Sequence, residues 1–354
     1  MKSSDELIEF ARESLGLSRG CETELLALEA SGSARSYFRF KWDQKHSVIL
    51  VDYDSSRLEN TYYADISKFL CDIGIPVPEI LRHEPADCLI IMRDLGSVNL
   101  WSRRNAPWRI RKPLYLKVLQ VIHRLHSFPR QRFPSSNLKL AEPFGPALYQ
   151  WERTYFLDNF IERFCGIELR KDQKKQIEAE LSHLAQTLSE NTTHLVHRDL
   201  QSQNVMICGG EPYLIDFQGM RFGTRFYDLG SLLYDPYVTI SEQERESLLL
   251  FYYRLSKHDL DWDSFQNWFW NASVQRLIQA LGAYSFLGLT KRLSKYLNHI
   301  PAGLRNLCSA AESAALFPGL LELCAECSKI IGDFGIHGVL GDFEVSSRRF
   351  EDSN

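Results

Sequence analysis

LVHRDLQSQNVMI at residues 195–207, followed by YLIDFQG at 213–219, is the stretch on which the reading of the fold turns. Asn204 stands five residues after Asp199, and Asp216 follows Asp199 by 17 residues at the end of an apolar run. The pattern is H-R-D-x-x-x-x-N and then a strand closing in I-D-F. Phosphoryl transfer needs a carboxylate beside the acceptor hydroxyl and hard oxygen ligands for Mg²⁺ against the phosphates of ATP. Asp199 is the expected base, with Asn204 and Asp216 the expected metal ligands. A loop held between two short strands can aim all three at one point. His197 sits next to the base and is expected to support the loop rather than to react. An isolated H-R-D is weak, and on its own would leave Asp199 and Asp216 as ordinary cap or turn acids. The full set behind a β-rich segment is specific.

Outward from the loop, the chain divides by pattern. Towards the N-terminus, a short amphipathic helix is expected at 4–16, strands at 21–30, 36–42 and 46–52, a helix at 56–73, and strands at 79–84 and 88–93. Gly74, Pro76 and Pro78 supply the helix stop. Helical periodicity begins at 108 and, apart from the loop at 194–218, runs to about 331. The expected class is therefore α+β, a two-lobed protein-kinase-like fold. Residues 1–93 form a β-rich ATP-binding lobe, 94–96 a connector, 97–331 a helical lobe and 332–354 a tail.

The lobe ahead of the loop offers one phosphate-binding candidate and lacks one expected part. Ser31, Gly32, Ser33, Ala34, Arg35 and Ser36 lie between two expected strands, where a hairpin tip can present backbone N–H groups to phosphates. The third strand, Ser47 to Asp52, has no Lys to pair with phosphate. Arg35, Arg39, Lys41 and Lys45 are near enough in sequence to replace it, and the sequence does not choose among them. The gap also keeps open a nucleotide-binding scaffold without catalysis, although such a protein has no need of Asp199, Asn204 and Asp216 together. A second D-F-G at 333–335 follows no catalytic loop and is read as coincidence.

Only about ten residues separate Asp216 from the helix expected near Phe226. That is too short for a peptide-docking segment, so a small acceptor is expected. About 100 residues between the connector and His197 leave room for a helical acceptor pocket. The formal net charge of −4 gives no sign of a nucleic-acid partner. No apolar run is long enough to span a bilayer, and residues 1–10 lack the apolar core of a signal peptide. A cytoplasmic protein is expected. The eight cysteines are scattered and read as reduced core thiols, including Cys324 and Cys327, which share one helix face.

Several segments carry a family resemblance: GSARSYFR (32–39), GIPVPEIL (74–81), LIIMRDLG (89–96), WERTYFLDNFI (151–161), HRDLQSQNVM (197–206), IDFQGMRFG (215–223), YDLGSLLYDPY (227–237) and VQRLIQALGAY (274–284). On these the chain resembles the aminoglycoside phosphotransferase and choline kinase group. More closely it resembles the anomeric kinases of N-acetylmuramate and N-acetylglucosamine in cell-wall recycling, which also tend to lack the third-strand Lys. The resemblance implies Met92, Arg93 and Asp94 as adenine-facing backbone and Asp228 as a brace for the catalytic loop. For the acceptor pocket it suggests Glu152, Gln218, Gln275 and Arg276, with structural roles equally open. Between 235 and 331 ten acids face nine bases, which suits a neutral or anionic amino sugar better than a polycation. Another sugar, an aminoglycoside or an amino alcohol stays open as acceptor.

Overall fold

The computed structural model describes residues 2–18, 20–28, 35–257 and 259–332. The chain packs as two units, one made of 1–142 with 197–221, the other of 143–196 with 222–354. It is a mixed α and β protein with a sheet in its N-terminal region and helices in its C-terminal region. The contacts do not part at the connector 94–96. Residues 97–142 and the H-R-D loop pack with the sheet, because backbone bonds carry the loop back onto it.

The first unit opens with α1 (Ser4–Leu15). Ser3 and Glu6 cap it reciprocally, and Gly16 closes it at φ 65°, a left-handed conformation that glycine adopts without strain. Then come β1 (Glu24–Ala27), β2 (Arg35–Lys41) and β3 (Ser47–Tyr53), short helices α2 (Leu58–Thr61) and α3 (Tyr63–Asp72), and strands β4 (Ile80–Glu84) and β5 (Leu89–Arg93). One helix was expected over 56–73. It is interrupted at Tyr62, where the Thr61 hydroxyl donates to the Leu58 carbonyl at 2.7 Å and competes with the helix ladder.

The five strands form one antiparallel sheet in the order β1-β2-β3-β5-β4. β3 is central and buried on both faces, which is why it reads as a continuous apolar run rather than an alternation. Leu50, Phe40 and Ile91 are fully buried with Leu7 and Ala11 of α1. Each of the larger of these side chains contributes roughly 1.5–3 kcal/mol by burial.

After α4 (Trp108–His126), the chain returns to this unit through the H-R-D loop, which follows strand β6 (His194–Val196) of the other unit. Strands β7 (Val205–Cys208) and β8 (Glu211–Leu214) form a hairpin turned by Gly209 and Gly210, both at positive φ. Ile207 N–H donates to the Val98 carbonyl, Leu100 N–H to Val205 and Leu214 N–H to Pro76, at 2.8, 2.8 and 2.9 Å. These bonds tie the hairpin to the segments flanking the sheet. Strand β9 (Arg221–Gly223) then leads out.

The second unit is helical: α5 (Pro146–Phe156), α6 (Lys171–Ser189), α7 (Arg225–Leu233), α8 (Glu242–Leu255), α9 (Trp262–Ser285) and α10 (Ile300–Ala314), with a further helix over 318–332. Helix α5 passes into π-helical winding over Leu157–Phe164, and α9 does so over Phe286–Thr290. The helix α9 is almost wholly buried from Asn271 to Ser285. Cys324 and Cys327 are buried free thiols, and no group of three metal-capable side chains occurs among the described residues. Among those residues no helix is long and apolar enough to cross a membrane.

Candidate active site

The hairpin explains how two residues 12 apart in sequence meet. Val205 pairs with Leu214, and one step beyond the strands Ile215 N–H donates to the Asn204 carbonyl at 3.0 Å. Asn204 and Asp216 are thereby held side by side at the open end of the hairpin. His197, 1% exposed, bonds through Nε2 with the Ile215 carbonyl at 2.9 Å, joining the H-R-D segment to the I-D-F strand.

Asp199 is fixed through its backbone. Its carbonyl accepts from Asn204 Nδ2 at 2.9 Å and from Gln201 N–H at 2.8 Å. Its carboxylate keeps 29% exposure, with Arg198 Nη1 3.7 Å away. Arg198 and Asp216 both hold positive φ, 78° and 64°. For non-glycine residues this costs of order 1–3 kcal/mol each and persists only where the surroundings impose it. A Cβ at Gly219 would stand 3.2 Å from Arg198 Nη1 and 4.0 Å from Asp199 Oδ2, so glycine there keeps the approach to the carboxylate clear.

Asn204 and Asp216 line a cavity of about 210 Å³ within the first unit. Its walls include Tyr37, Ile49, Tyr63, Met92, Met206 and Ile215. Tyr63 stacks on Phe217 at 4.5 Å, and burial pushes its phenol well above the usual range. Burial likewise pushes Tyr37 up to about 12. Both stay neutral, so largely apolar walls lead to two oxygen donors at Asn204 and Asp216, with the connector's polar groups also on the lining. Asn204 turns its amide nitrogen to the Asp199 carbonyl, leaving its amide oxygen as the donor for a hard cation; Asp216 offers a carboxylate 31% exposed. This donor set fits Mg²⁺.

At the connector, Met92, Arg93 and Asp94 do line the cavity. The Asp94 carboxylate is engaged within the chain. Arg39 donates to it through Nε at 2.6 Å and Nη2 at 3.1 Å, Ser47 Oγ at 2.7 Å and Gly96 N–H at 2.8 Å. Burial favours the neutral acid, but these donors outweigh it and hold the carboxyl below its ordinary range. Arg39 and Asp94 thus clamp the connector, a role the sequence did not suggest for either.

Ser31, Gly32, Ser33 and Ala34 lie outside the described residues, as does the D-F-G at 333–335. Ser36 sits in β2 with Arg35, and Arg35 is buried against the metal-ligand candidate. Its Nη2 donates to Asp216 Oδ1 and its Nη1 to Gln218 Oε1, the latter at 2.6 Å. Burial opposes its charge, but Asp216 beside it holds the guanidinium firmly protonated. Gln218, expected at the acceptor, is bonded instead to Arg35 and to Asp216.

The other acceptor candidates lie in the second unit and are turned inward. Glu152 is 0% exposed and accepts from Tyr227 Oη at 3.0 Å and Gln275 Nε2 at 2.8 Å. Arg276 is 4% exposed and donates to Ser231 Oγ and to Gln279. Three of these bonds join helices of the second unit, and the Arg276–Gln279 bond lies within α9. Asp228 is fully buried in α7.

The model of the phosphotransferase enzyme family matches residues 24–268. The N-acetylmuramate/N-acetylglucosamine kinase of Neisseria meningitidis serogroup B is 24% identical over 314 residues, covering 86% of this chain and 91% of that protein. Among solved structures, choline kinase from Cryptosporidium parvum Iowa II aligns with a TM-score of 0.58 at 14% identity, over 96% of this chain and 99% of that one. The ADP-bound aminoglycoside phosphotransferase APH(2'')-Ib aligns with a TM-score of 0.57 at 14% identity, over 88% and 99%. These two likenesses are of fold.

Proposed function

The chain belongs to the phosphotransferase enzyme family, and from that premise we propose that it is an ATP- and Mg²⁺-dependent kinase of the anomeric hydroxyl of N-acetylmuramate or N-acetylglucosamine. One observation carries the catalytic part: the Asn204 and Asp216 oxygen donors share one apolar-walled cavity, and Asn204 bonds directly to the backbone of Asp199. The acceptor follows from the relative's name and from the resemblance of IDFQ, YDLGSLL and QRLIQALGAY.

In this reading the adenine lies between Ile49, Met92, Met206 and Ile215, where burial of its ring favours binding. Its phosphates point to Asn204 and Asp216. Bound there, Mg²⁺ neutralises phosphate charge. Asp199 accepts a hydrogen bond from the sugar O1–H, aligns that oxygen with the γ-phosphorus and takes its proton as the O–P bond forms and ADP leaves. The anomeric hydroxyl is more acidic than an ordinary alcohol, so one carboxylate suffices. Most of the rate enhancement then comes from positioning and charge neutralisation. A cytoplasmic place in amino-sugar recycling goes with this reading.

The test is phosphorus NMR of the products with each amino sugar and with the same sugar methylated at O1. A sugar 1-phosphate from the free sugars and none from the methylated ones is the expected outcome. Phosphate on the methylated sugar moves the transfer to another hydroxyl; turnover of choline or an aminoglycoside alone replaces the acceptor. Asp199→Asn should lower kcat by about a hundredfold or more with ATP affinity nearly kept.

A further inference from the structure

The third strand brings no lysine to the phosphates, yet a buried cation stands at their expected end. Arg35 opens β2 opposite Tyr53 of β3 and is 6% exposed. It closes a ring of three side chains. Arg35 holds Asp216 Oδ1 and Gln218 Oε1, while Gln218 Nε2 donates to the same Asp216 oxygen at 3.0 Å. The other bases near the strand are engaged or distant: Arg39 is on Asp94, Lys41 is on Glu24 at 3.2 Å, and Lys45 lies in an exposed turn. The carboxylate that would take a metal therefore already has two donors on one oxygen.

Resting on the kinase reading above, we propose that Arg35 is the phosphate-contacting cation of this site and that, without nucleotide, it latches Asp216. Binding of the metal–nucleotide complex is then an exchange of partners. The guanidinium passes from the carboxylate to phosphate oxygens, and the carboxylate becomes free for the metal. Chemistry permits the exchange because the planar guanidinium fork fits a carboxylate and a phosphate alike. Charge requires the two to come together. A divalent ion alone must compete with a buried arginine for Asp216 and adds its charge to that of the guanidinium, whereas the triphosphate brings enough negative charge for both. Metal and nucleotide are accordingly coupled through one side chain.

The experiment compares the parent with Arg35→Gln and Arg35→Lys. Mn²⁺ binding without nucleotide is followed by electron paramagnetic resonance, and MgATP and adenosine binding by calorimetry. In Arg35→Gln, Mn²⁺ alone should bind about fivefold tighter and MgATP about tenfold weaker, with adenosine within about twofold of the parent. Arg35→Lys keeps the charge without the fork and should still tighten Mn²⁺ by about twofold. It decides the matter if circular dichroism shows Arg35→Gln unfolded. Unchanged Mn²⁺ binding overturns the latch. Equal losses for MgATP and adenosine overturn the phosphate contact and leave Arg35 a structural residue. A parent that binds neither nucleotide nor adenosine defeats the kinase reading itself, a result distinct from either.

Discussion

Asp94→Ala removes the connector clamp and leaves Asp199, Asn204 and Asp216 untouched. Four hydrogen bonds end on this carboxylate, two of them from one guanidinium, and its side chain is 6% exposed. Breaking a fully buried ion pair costs about 3–5 kcal/mol. Arg39 keeps 19% of its side chain in solvent and regains water when its partner is lost, which brings the expected cost to roughly 2–4 kcal/mol. Melting followed by circular dichroism should therefore fall by about 3–5 °C at pH 7. The clamp shapes the connector wall of the cavity, so ATP and adenosine should weaken together by roughly five- to tenfold in calorimetry. That equal loss is the opposite of the pattern expected for Arg35. The pH dependence has a definite sign. A carboxyl held below its ordinary range in the fold stabilises fully above its unfolded value and loses that contribution as pH falls through the lower, folded one. The gap between parent and variant should stay constant from pH 7 to about 5 and narrow below about 4. An unchanged melting temperature at pH 7, or a gap undiminished at the acid end, refutes the clamp.

Two further outcomes test the site and its support. Asp216→Ala should abolish the Mg²⁺-dependent tightening of ATP binding, since a hard ligand is lost where metal and phosphates meet; calorimetry with and without Mg²⁺ giving the parent's difference would remove Asp216 from the metal. Gly230→Ala places a Cβ 2.9 Å from the Ser273 Cα, where helix α7 meets α9 backbone and neither can yield by a rotamer change. It should cost about 1–3 kcal/mol, seen as a lower urea midpoint, and an unmoved midpoint would show that the helices separate freely there.

What the sequence disclosed was whatever is written in short range. HRDLQSQN and LIDF contain both the hairpin ends and the residues they bring together, so Asp199, Asn204, Asp216 and His197 were legible together. The strands and most helices were legible from their periods and stops. What stayed hidden depends on contacts between distant parts of the chain. Glu152 is polar within an aromatic helix segment and looks like a pocket residue until Tyr227 and Gln275 are found on it. Gln218 follows the metal-ligand candidate Asp216 and looked like substrate recognition, but its partner Arg35 lies 183 positions away. The division into units was hidden for the same reason. Residues 97–142 are mostly helical in pattern, and it is their bonds to the hairpin, Val98 and Leu100 to β7 and Lys117 to Gly210, that show which unit holds them.

The absent lysine shows how far parity reasoning could have gone. Ile49 lines the cavity, so alternation along β3 sends Ile49, Val51 and Tyr53 towards the same face. Residues directly opposite in an antiparallel pair share a face. Ile49 pairs with Arg39, Val51 with Tyr37 and Tyr53 with Arg35. A cation on β2 at any odd position from 35 to 41 therefore serves the face that a lysine on β3 would serve. Alternation alone leaves Arg35, Arg39 and Lys41 as equals, since all three fall on that parity. Register separates them. Lys41 is opposite both Ser47 and Glu24 at the far end of the sheet and bonds to the latter. Arg39 lies level with the connector and meets Asp94. Arg35, at the other end of β2, is left to reach Asp216. The charge that phosphate binding needs can thus move from one strand to its neighbour without changing face, and a third strand without lysine is no argument against catalysis here.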